Sequence, residues 1–377
     1  MVESKIHSNI VFSQDIVKEL LSVVEKYPKE KVFLLTEENA EQKCLPLVQP
    51  VIDQLQIKWL EIEAGEENKK IGSVEKVWQF LSENGADRKS LLINLGGGML
   101  TDLGGFAAST FKRGLDFVNI PTTLLAQVDA SLGGKTGFNF NGLKNEIGVF
   151  QEPVTVIINT NFLKTIDHAN FLSGYAEMIK HGFIKSPEHW DELQKFDLKN
   201  INYEALQEII AHSVAVKKWF VMNDPTEKNI RKALNLGHTV GHAFESYAMK
   251  TGKPILHGYA VVYGMIVELF LSAKKCGFEA VLLQQISQWL LERYGKFEIT
   301  ENDFDALFEL MTHDKKNEAG RINFTLIPEI GKVEINQNCT KAEVFEALEY
   351  YLMMEKPHPK SFSKGEGLLD SNKSESI

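Results

Sequence analysis

The chain has 377 residues, of which 44% are hydrophobic and 24% are charged, a composition typical of a globular protein with room for two domains. Its 41 basic and 51 acidic residues give a net charge of -10, which argues against nucleic acid as the main partner. The apolar runs are too short to span a bilayer, and three distant cysteines without a CxxC pair predict neither disulfides nor a cysteine zinc site. We therefore expect a cytoplasmic protein that binds neither nucleic acid nor a membrane.

The first part of the chain alternates between strand-like and helix-like segments. A strand that ends at Leu95 runs directly into three glycines, Gly96 to Gly98. A glycine turn between a strand and a helix is typical of an open parallel α/β sheet that binds its ligand at that edge. The apolar patterns predict strands over residues 32–35, 57–62, 91–95, 117–120 and 154–158, and helices over 73–81 and 106–111.

From about residue 171 the hydrophobic period becomes helical, so the second part is predicted to be all-α. Two short strands over residues 322–326 and 333–335 flank Gly331 as a small hairpin would. The segment from about residue 356 is rich in Ser, Lys, Gly and Pro, which predicts a disordered tail. Helices are predicted over residues 204–220, 239–249, 259–276, 280–294 and 303–312.

Two glycine-rich segments are candidate binding loops. Gly96 to Gly98 are either a tight turn or a phosphate cradle, and their place before a helix favours a nucleotide. In residues 120–150, glycines argue against a regular helix, and apolar neighbours argue against a solvated surface loop. The polar side chains of this second segment are Thr122, Thr123, Asp129, Lys135, Lys144 and Asn145.

His238 and His242 are candidate metal ligands, because side chains four residues apart share one face of a helix. Thr239 stands where the HExxH zinc protease motif needs glutamate, so a metalloprotease is excluded. One alternative is that both histidines are hydrogen-bonded core residues. The other is a catalytic zinc site, which the additional ligands Glu177 and His257 favour.

Charged and amide side chains lead into the histidine segment. Four polar residues are spaced three or four positions apart, about one helical turn each: Arg231, Asn235, His238 and His242. This spacing predicts a single polar stripe on one helix. Such a stripe suits a phosphorylated or carboxylated substrate beside a metal, whereas charges at helical spacing more often form a solvated face. Together with the glycine loop, these residues predict redox chemistry on a hydroxylated substrate, in one cleft.

Six blocks lie in order between about Thr36 and Gly331: GGGMLTDLGGFAASTFKRG, PTTLLAQVDASLGGKTG, LKNEIGVFQEP, GYAEMIKHG, RKALNLGHTVGHAFE and LHGYAVVYGM. Together they resemble the 3-dehydroquinate synthase family of the sugar-phosphate cyclases. The resemblance implies a Rossmann-like α/β domain over residues 1–168 and an all-α domain over 169–355, before a tail over 356–377. It also implies a homodimer that binds NAD and one zinc or cobalt ion.

The resemblance assigns roles to individual residues. The metal ligands would be Glu177, His238 and His257, which leaves His242 for the substrate. The NAD contacts would be Glu66, Lys69, Gly97, Gly98, Asp102, Thr122, Thr123, Lys135, Lys144, Phe162 and Thr165. The substrate contacts would be Asp129, Lys135, Asn145, Lys180, Lys217, Arg231, Asn235, His242, Lys315 or Lys316, and Arg113 from the neighbouring subunit. In place of the family's TDxN, this chain has Thr36-Glu37-Glu38-Asn39, so Glu37 and Asn39 are the corresponding ribose candidates.

The implied reaction converts 3-deoxy-D-arabino-heptulosonate 7-phosphate into 3-dehydroquinate and phosphate, a step of the shikimate pathway. Oxidation at C5 by NAD acidifies the neighbouring C–H, phosphate leaves by β-elimination, the hydride returns, and an aldol reaction closes the ring. Three alternatives remain: a metal-dependent polyol dehydrogenase, a cyclase that uses sedoheptulose 7-phosphate or glucose 6-phosphate, and a binding module without activity.

Overall fold

The structure is a computed structural model that describes residues 8–141, 143–312 and 322–355. Its N-terminal part is a parallel α/β sheet and its C-terminal part is mostly helical, which confirms the predicted fold class. The strands in the described ranges are β1 (Asn9–Phe12), β2 (Val32–Glu37), β3 (Lys58–Ile62), β4 (Leu91–Gly96), β5 (Asp116–Pro121), β6 (Lys135–Phe140), β7 (Leu143–Phe150), β8 (Thr155–Ile158), β9 (Phe324–Glu329) and β10 (Lys332–Gln337).

Thirteen α-helices lie in the same ranges. Nearly every predicted helix and strand overlaps an observed element, with ends that differ by at most three residues. The helices are α1 (Ile16–Val24), α2 (Glu38–Lys43), α3 (Leu45–Leu55), α4 (Ile71–Glu83), α5 (Gly98–Thr110), α6 (His168–Lys185), α7 (Pro187–Lys195), α8 (Tyr203–Asn223), α9 (His238–Lys250), α10 (His257–Cys276), α11 (Ala280–Tyr294), α12 (Phe304–Thr312) and α13 (Lys341–Met353).

The main sheet has six parallel strands in the order β1-β8-β5-β4-β2-β3. Alternate residues of β2 pack into different cores: Leu34 joins the cluster with α1 and α3, while Phe33 and Leu35 join the cluster with α4 and α5. A strand covered by helices on both faces has no polar side, which explains the unbroken apolar run VFLL. The carboxyl ends of these strands form the edge where α/β proteins bind ligands.

The helix after β4 begins earlier than predicted, at Gly98 instead of residue 106. Its glycines permit close packing on the sheet, since a methyl group at Gly104 would lie 2.1 Å from Asn94 Oδ1. Gly97 is the N-cap residue and makes no side-chain capping bond, so the first N–H groups of α5 face the carboxyl edge of the sheet. This is the arrangement that a pyrophosphate group requires.

Residues 120–150 are more regular than the glycines suggested, because they form a π-helical turn (Ala126–Ala130) and the antiparallel hairpin β6–β7. Gly137 and Gly148 face each other in the hairpin, and a methyl group on Gly137 would lie 2.5 Å from the Ile147 carbonyl oxygen. The prediction of an irregular loop was therefore wrong. The glycines serve close strand pairing here instead of breaking the structure.

The C-terminal helices share one apolar core that also includes β9. Strands β9 and β10 pair antiparallel around Gly331, whose φ of 91° suits the turn, so the predicted hairpin is confirmed.

Lys315, Lys316 and the tail from residue 356 lie outside the described residues. The domain boundary at residue 168 stays a prediction. Among the described helices, none has the length and apolarity needed to cross a membrane.

Candidate functional site

Three side chains from three different helices meet beneath the carboxyl edge of the sheet. Glu177 on α6 places Oε1 3.4 Å from Nε2 of His238 on α9 and 3.4 Å from Nε2 of His257 on α10. The three candidate ligand atoms lie within 4.8 Å of one another. Glu177 is completely buried, and Lys180 on the same helix forms an ion pair with its carboxylate. A buried carboxylate opposite two imidazoles is a donor set that suits a divalent transition metal.

The electrostatics of this cluster favour a cation. Burial alone would raise the pKa of Glu177, but the Lys180 ammonium and His238 hold that pKa well below its ordinary value. Burial lowers the pKa of His257, yet hydrogen bonds to Glu177 and Glu245 outweigh it and raise the pKa to about 9. The carboxylates thus stabilise positive charge at the position where the nitrogen atoms converge.

His242 is close to the cluster without joining its ligand set. Its ring centroid lies 5.4 Å from that of His238 and 5.9 Å from that of His257. The initial hypothesis that both histidines of α9 bind one metal therefore gives way to a set in which His257 takes the second imidazole position. His242 is half-buried next to that set, where it can contact a substrate.

A buried acid–base group lies next to Glu177. Lys217 on α8 donates to both the side chain and the carbonyl oxygen of Asp129, each at 2.6 Å. Burial lowers the pKa of Lys217, although the neighbouring Asp129 carboxylate opposes this effect. For Asp129 the balance is reversed: burial alone would raise its pKa, but the ammonium groups of Lys217 and Lys180 lower it. His181 Nδ1 forms a hydrogen bond with Ser213 Oγ at 2.7 Å, whose direction depends on the tautomer of the ring. Burial and the nearby Lys180 ammonium hold the pKa of His181 well below its ordinary value. The predicted residues Asp129, Lys180 and Lys217 are thereby brought together.

A second polar group surrounds Glu227, which the sequence did not single out. Its carboxylate contacts the ammonium of Lys135 and accepts a hydrogen bond from Asn235 at 3.3 Å. Arg231 is buried nearby, where it donates to the Pro225 and Gly133 carbonyl oxygens at 2.6 and 3.0 Å. Glu227 thus brings Lys135 and Asn235 together, with Arg231 nearby.

The predicted single polar stripe through Arg231, Asn235, His238 and His242 is wrong. Arg231 and Asn235 belong to a short 3-10 helix (Ile230–Asn235), and α9 starts only at His238. Gly237 between them has a φ of 77°, a left-handed conformation that ends one helix and redirects the chain into the next. The two pairs are therefore on separate elements.

The glycine-loop side of the cleft has its own network. Lys69 donates to Asp102 Oδ2 at 2.6 Å and to Asn145 Oδ1 at 2.5 Å. Asn139 connects Asn145 to Glu66, by accepting from the Asn145 N–H at 2.8 Å and donating to the Glu66 carboxylate at 2.9 Å. Burial raises the pKa of Asp102, an effect that Lys69 opposes. Asn145, predicted to contact the substrate, therefore sits among predicted cofactor residues.

Other predicted cofactor residues surround the same edge. Thr122 is buried and donates its N–H to the Gly96 carbonyl oxygen at 3.0 Å. The Thr123 side chain lies next to Gly97, where its Cγ2 would be 3.3 Å from a methyl group added to that glycine. The Glu37 carboxylate caps α2 by accepting from the Asn39 and Ala40 N–H groups at 2.9 and 3.0 Å, so it already has a structural role.

Two further predicted sites are placed differently. Phe162 has a fully buried ring within the apolar core, so only its backbone can meet a ligand, whereas Thr165 is partly exposed and donates to the Phe162 carbonyl oxygen at 2.7 Å. Arg113 is exposed just before β5, at the amino edge of the sheet, opposite the edge with Gly97. Within one chain it is therefore not part of this cleft.

Lys144 points toward the helical half, where its ammonium lies 2.7 Å from Glu245 Oε1. Glu245 was not predicted, although it follows His238 by two helical turns on the same face of α9. Its second oxygen lies 3.4 Å from His257 Nδ1.

A further group of His189, Glu192 and His212 lies on α7 and α8, but two of its three side chains are partly or largely exposed and Glu192 already pairs with both rings.

Comparison with known proteins gives a consistent result over most of the chain. Residues 59–173 match the 3-dehydroquinate synthase N-terminal family and residues 174–317 match the 3-dehydroquinate synthase C-terminal family. A 3-dehydroquinate synthase from Parabacteroides distasonis is 50% identical over 342 residues, which cover 91% of this chain and 97% of the relative.

Solved structures share the fold at lower sequence identity. A 2-epi-5-epi-valiolone synthase from Streptomyces hygroscopicus with NAD+ and Zn2+ bound superposes with a TM-score of 0.81 at 20% identity, covering 93% of this chain and 98% of that one. A 2-deoxy-scyllo-inosose synthase complexed with carbaglucose-6-phosphate, NAD+ and Co2+ superposes with a TM-score of 0.79 at 22% sequence identity. The superposition covers 91% of this chain and 96% of that one.

Proposed function

This chain belongs to the 3-dehydroquinate synthase family, and from that premise we propose that it converts 3-deoxy-D-arabino-heptulosonate 7-phosphate into 3-dehydroquinate and inorganic phosphate. The observation that carries this proposal is the convergence of Glu177, His238 and His257 beside a set of buried cations at the carboxyl edge of the sheet. In enzyme classes, it would be a carbon–oxygen lyase that also cyclises its product.

The residues fit a divalent cation. Glu177 offers a fully buried carboxylate that Lys180 also contacts, and two imidazole nitrogens face its Oε1 at 3.4 Å. We assign the metal position to these three side chains and expect zinc or cobalt, the ions found in the two related structures. One carboxylate and two imidazoles leave coordination positions open for a substrate.

The opposite side of the cleft fits NAD. The uncapped N-terminus of α5 at Gly97 and Gly98 would bind the pyrophosphate, with Asp102 and Lys69 close behind it. Thr122 and Thr123 line the neighbouring turn after β5. When bound, NAD+ supplies a hydride acceptor and the cation a Lewis acid, so that the C5 alcohol of the substrate can be oxidised transiently.

The protein's own residues would bind and orient the substrate. Arg231 has a buried guanidinium whose Nε has no hydrogen-bond partner among the described residues, and with Lys135 it would bind the phosphate group. Lys180, Lys217 and Asp129 form the buried polar wall next to Glu177 and would hold the hydroxyl groups. Asn235 and His242 complete the pocket between these two groups.

Each chemical step would then balance within the site. Oxidation at C5 would make the adjacent C–H acidic, and the substrate's phosphate oxygen would take this proton as the C–O bond to phosphate breaks. Return of the hydride to C5 would leave no net oxidation. Ring opening and intramolecular aldol closure need the open-chain ketone held in position more than they need further catalytic groups.

The decisive assay follows inorganic phosphate and absorbance at 340 nm together. With the heptulosonate phosphate, NAD+ and Zn2+, we expect phosphate release without net NADH formation. Steady NADH release would instead indicate a polyol dehydrogenase. Phosphate release from sedoheptulose 7-phosphate or glucose 6-phosphate, but not from the heptulosonate, would indicate another cyclase, and NMR of the product identifies which.

We also propose that the enzyme is a cytoplasmic homodimer. The hairpin strand β7 exposes Leu143, Ile147, Val149 and Phe150 to between 37% and 57%, an apolar stretch that a neighbouring subunit would cover. The exposed Arg113 would then reach the phosphate site of the neighbouring subunit. Cys44, Cys276 and Cys339 are free thiols, in agreement with a reducing compartment.

A further inference from the structure

The two ring nitrogens of His257 have different partners. Nε2 faces Glu177 within the candidate metal cluster, and Nδ1 faces Glu245 Oε2 at 3.4 Å. If Nδ1 carries the proton and donates it to the carboxylate, the lone pair of Nε2 is left for a cation. His238 is arranged in the same way, because its Nδ1 lies 3.1 Å from the Leu236 carbonyl oxygen, which can only accept.

Glu245 is itself held in place from the other half of the protein. It is buried to 8% exposure on α9, and its second oxygen, Oε1, accepts from the Lys144 ammonium at 2.7 Å. Each carboxylate oxygen thus has one cationic or donor partner. Lys144 stands on β7 of the hairpin next to Asn145, which accepts from Lys69 at 2.5 Å. A continuous chain of contacts therefore links the glycine-loop side of the cleft to the imidazole of His257.

We propose that Glu245 is a positioning residue that fixes the tautomer and ring orientation of His257, and that Lys144 braces it from the cofactor side. Two observations distinguish this role from simple surface pairing: the carboxylate is almost fully buried, and its two oxygens divide between the two partners. A carboxylate behind a ligating histidine also increases the basicity of that histidine. The inference rests on the metal assignment proposed above.

The test measures Co2+ affinity of the purified full chain by competition with a chelator, together with the visible spectrum of bound Co2+. We expect Glu245→Ala to weaken Co2+ binding by roughly 10- to 100-fold and to alter the spectrum. Glu245→Gln keeps an acceptor but loses the charge, so it should fall between Glu245→Ala and the wild type. Lys144→Met should cause a smaller loss than either, and Glu208→Gln, an exposed carboxylate on α8, should cause none.

The outcomes of this test separate the positioning role from the metal assignment. Wild-type affinity for Co2+ in Glu245→Gln overturns the inference, even if Glu245→Ala does not fold. If the wild-type chain binds no Co2+ at all, the metal assignment fails; if it binds while the Glu245 variants bind equally well, only the positioning role fails.

Discussion

Glu177 combines full burial with ionisation, a state that needs positive charge on several sides. Lys180 contacts it from its own helix and the two imidazoles face it from α9 and α10. Removing a countercharge from a buried ion costs several kcal/mol in proteins, roughly 3–5 kcal/mol for one partner of a buried pair. The cluster is therefore a place where a divalent cation would stabilise the folded chain as well as serve the reaction.

Single substitutions can separate ligands from substrate contacts. We expect His257→Ala to lose metal and activity together, because it removes one of three convergent donors. His242→Ala should retain metal and slow turnover by roughly 10- to 1000-fold, as expected for a pocket residue outside the ligand set. Metal content of both purified variants is the measurement. Equal loss of metal in the two would contradict the assignment of His257 over His242.

At the scale of elements, glycines bring the ligand-bearing helices together. A methyl group at Gly258 of α10 would lie 2.0 Å from the Ser173 carbonyl oxygen of α6, and one at Gly264 would lie 2.0 Å from the Gly237 carbonyl oxygen next to α9. Such contacts are far inside van der Waals distance. Only residues without a side chain allow the three backbones to approach this closely.

We therefore expect Gly258→Ala to destabilise the protein by roughly 1–3 kcal/mol, as overpacking does, and to weaken metal binding by displacing His257. Gly72→Ala on α4 is the matched control, because no atom lies within 4 Å of the added methyl group. It should be neutral or stabilise by up to about 1 kcal/mol. Urea denaturation and Co2+ titration measure both effects, and similar behaviour of the two variants would contradict the packing argument.

The N-terminus of α13 gives a pH-dependent contribution. Thr340 and Glu343 form a capping box, and Lys275 pairs with Glu343; the Thr340 N–H and Lys275 lower the pKa of Glu343 from 4.5 to about 2. A depressed carboxylate pKa means stability that is present above pH 4.5 and is lost as pH falls toward 2.

Glu343→Gln should lower the free energy of unfolding by about 1 kcal/mol at pH 7, because glutamine can keep the capping box but loses the negative charge at the helix N-terminus and the pair with Lys275. The difference from wild type should shrink between pH 4.5 and 2, because the wild-type carboxylate becomes protonated there. Glu349→Gln, an exposed residue on the same helix, is the control and should show no such trend. A difference that stays constant down to pH 2 would argue against the charge as its cause.

Long periodic elements were predictable from the sequence, because hydrophobic periodicity is a local property. Spacing alone suggested His238 with His242, and only the family resemblance named the set Glu177, His238 and His257, which comes from three helices. Other features depend on distant contacts. Helix α3 contains Pro50 and was not predicted, and the early start of α5 depends on glycines that pack against Asn94. The left-handed Gly237 breaks the stripe that regular spacing predicted. Glu227 also contacts Lys135, 92 positions away along the chain, and Glu245 contacts Lys144, 101 positions away.

For the whole molecule, the exposed apolar strand β7 predicts self-association. The wild-type protein should have a mass near twice 42.6 kDa in solution by light scattering. Ile147→Glu places a charge in the centre of the apolar surface of β7, so we expect it to shift the equilibrium toward monomer. Val281→Glu on α11 is a matched control, because Val281 is 60% exposed outside this surface. An unchanged mass for Ile147→Glu would place the dimer contact elsewhere.

A long stretch of chain separates α6 from the neighbouring helices α9 and α10, so the three side chains converge only after these helices have packed. A local segment of the polypeptide has no more than one or two of the donors. Cation capture must then come late in refolding, after secondary structure has formed. The visible absorption of Co2+ would thus report completed assembly of the helical half, later than the far-ultraviolet signal of the helices themselves.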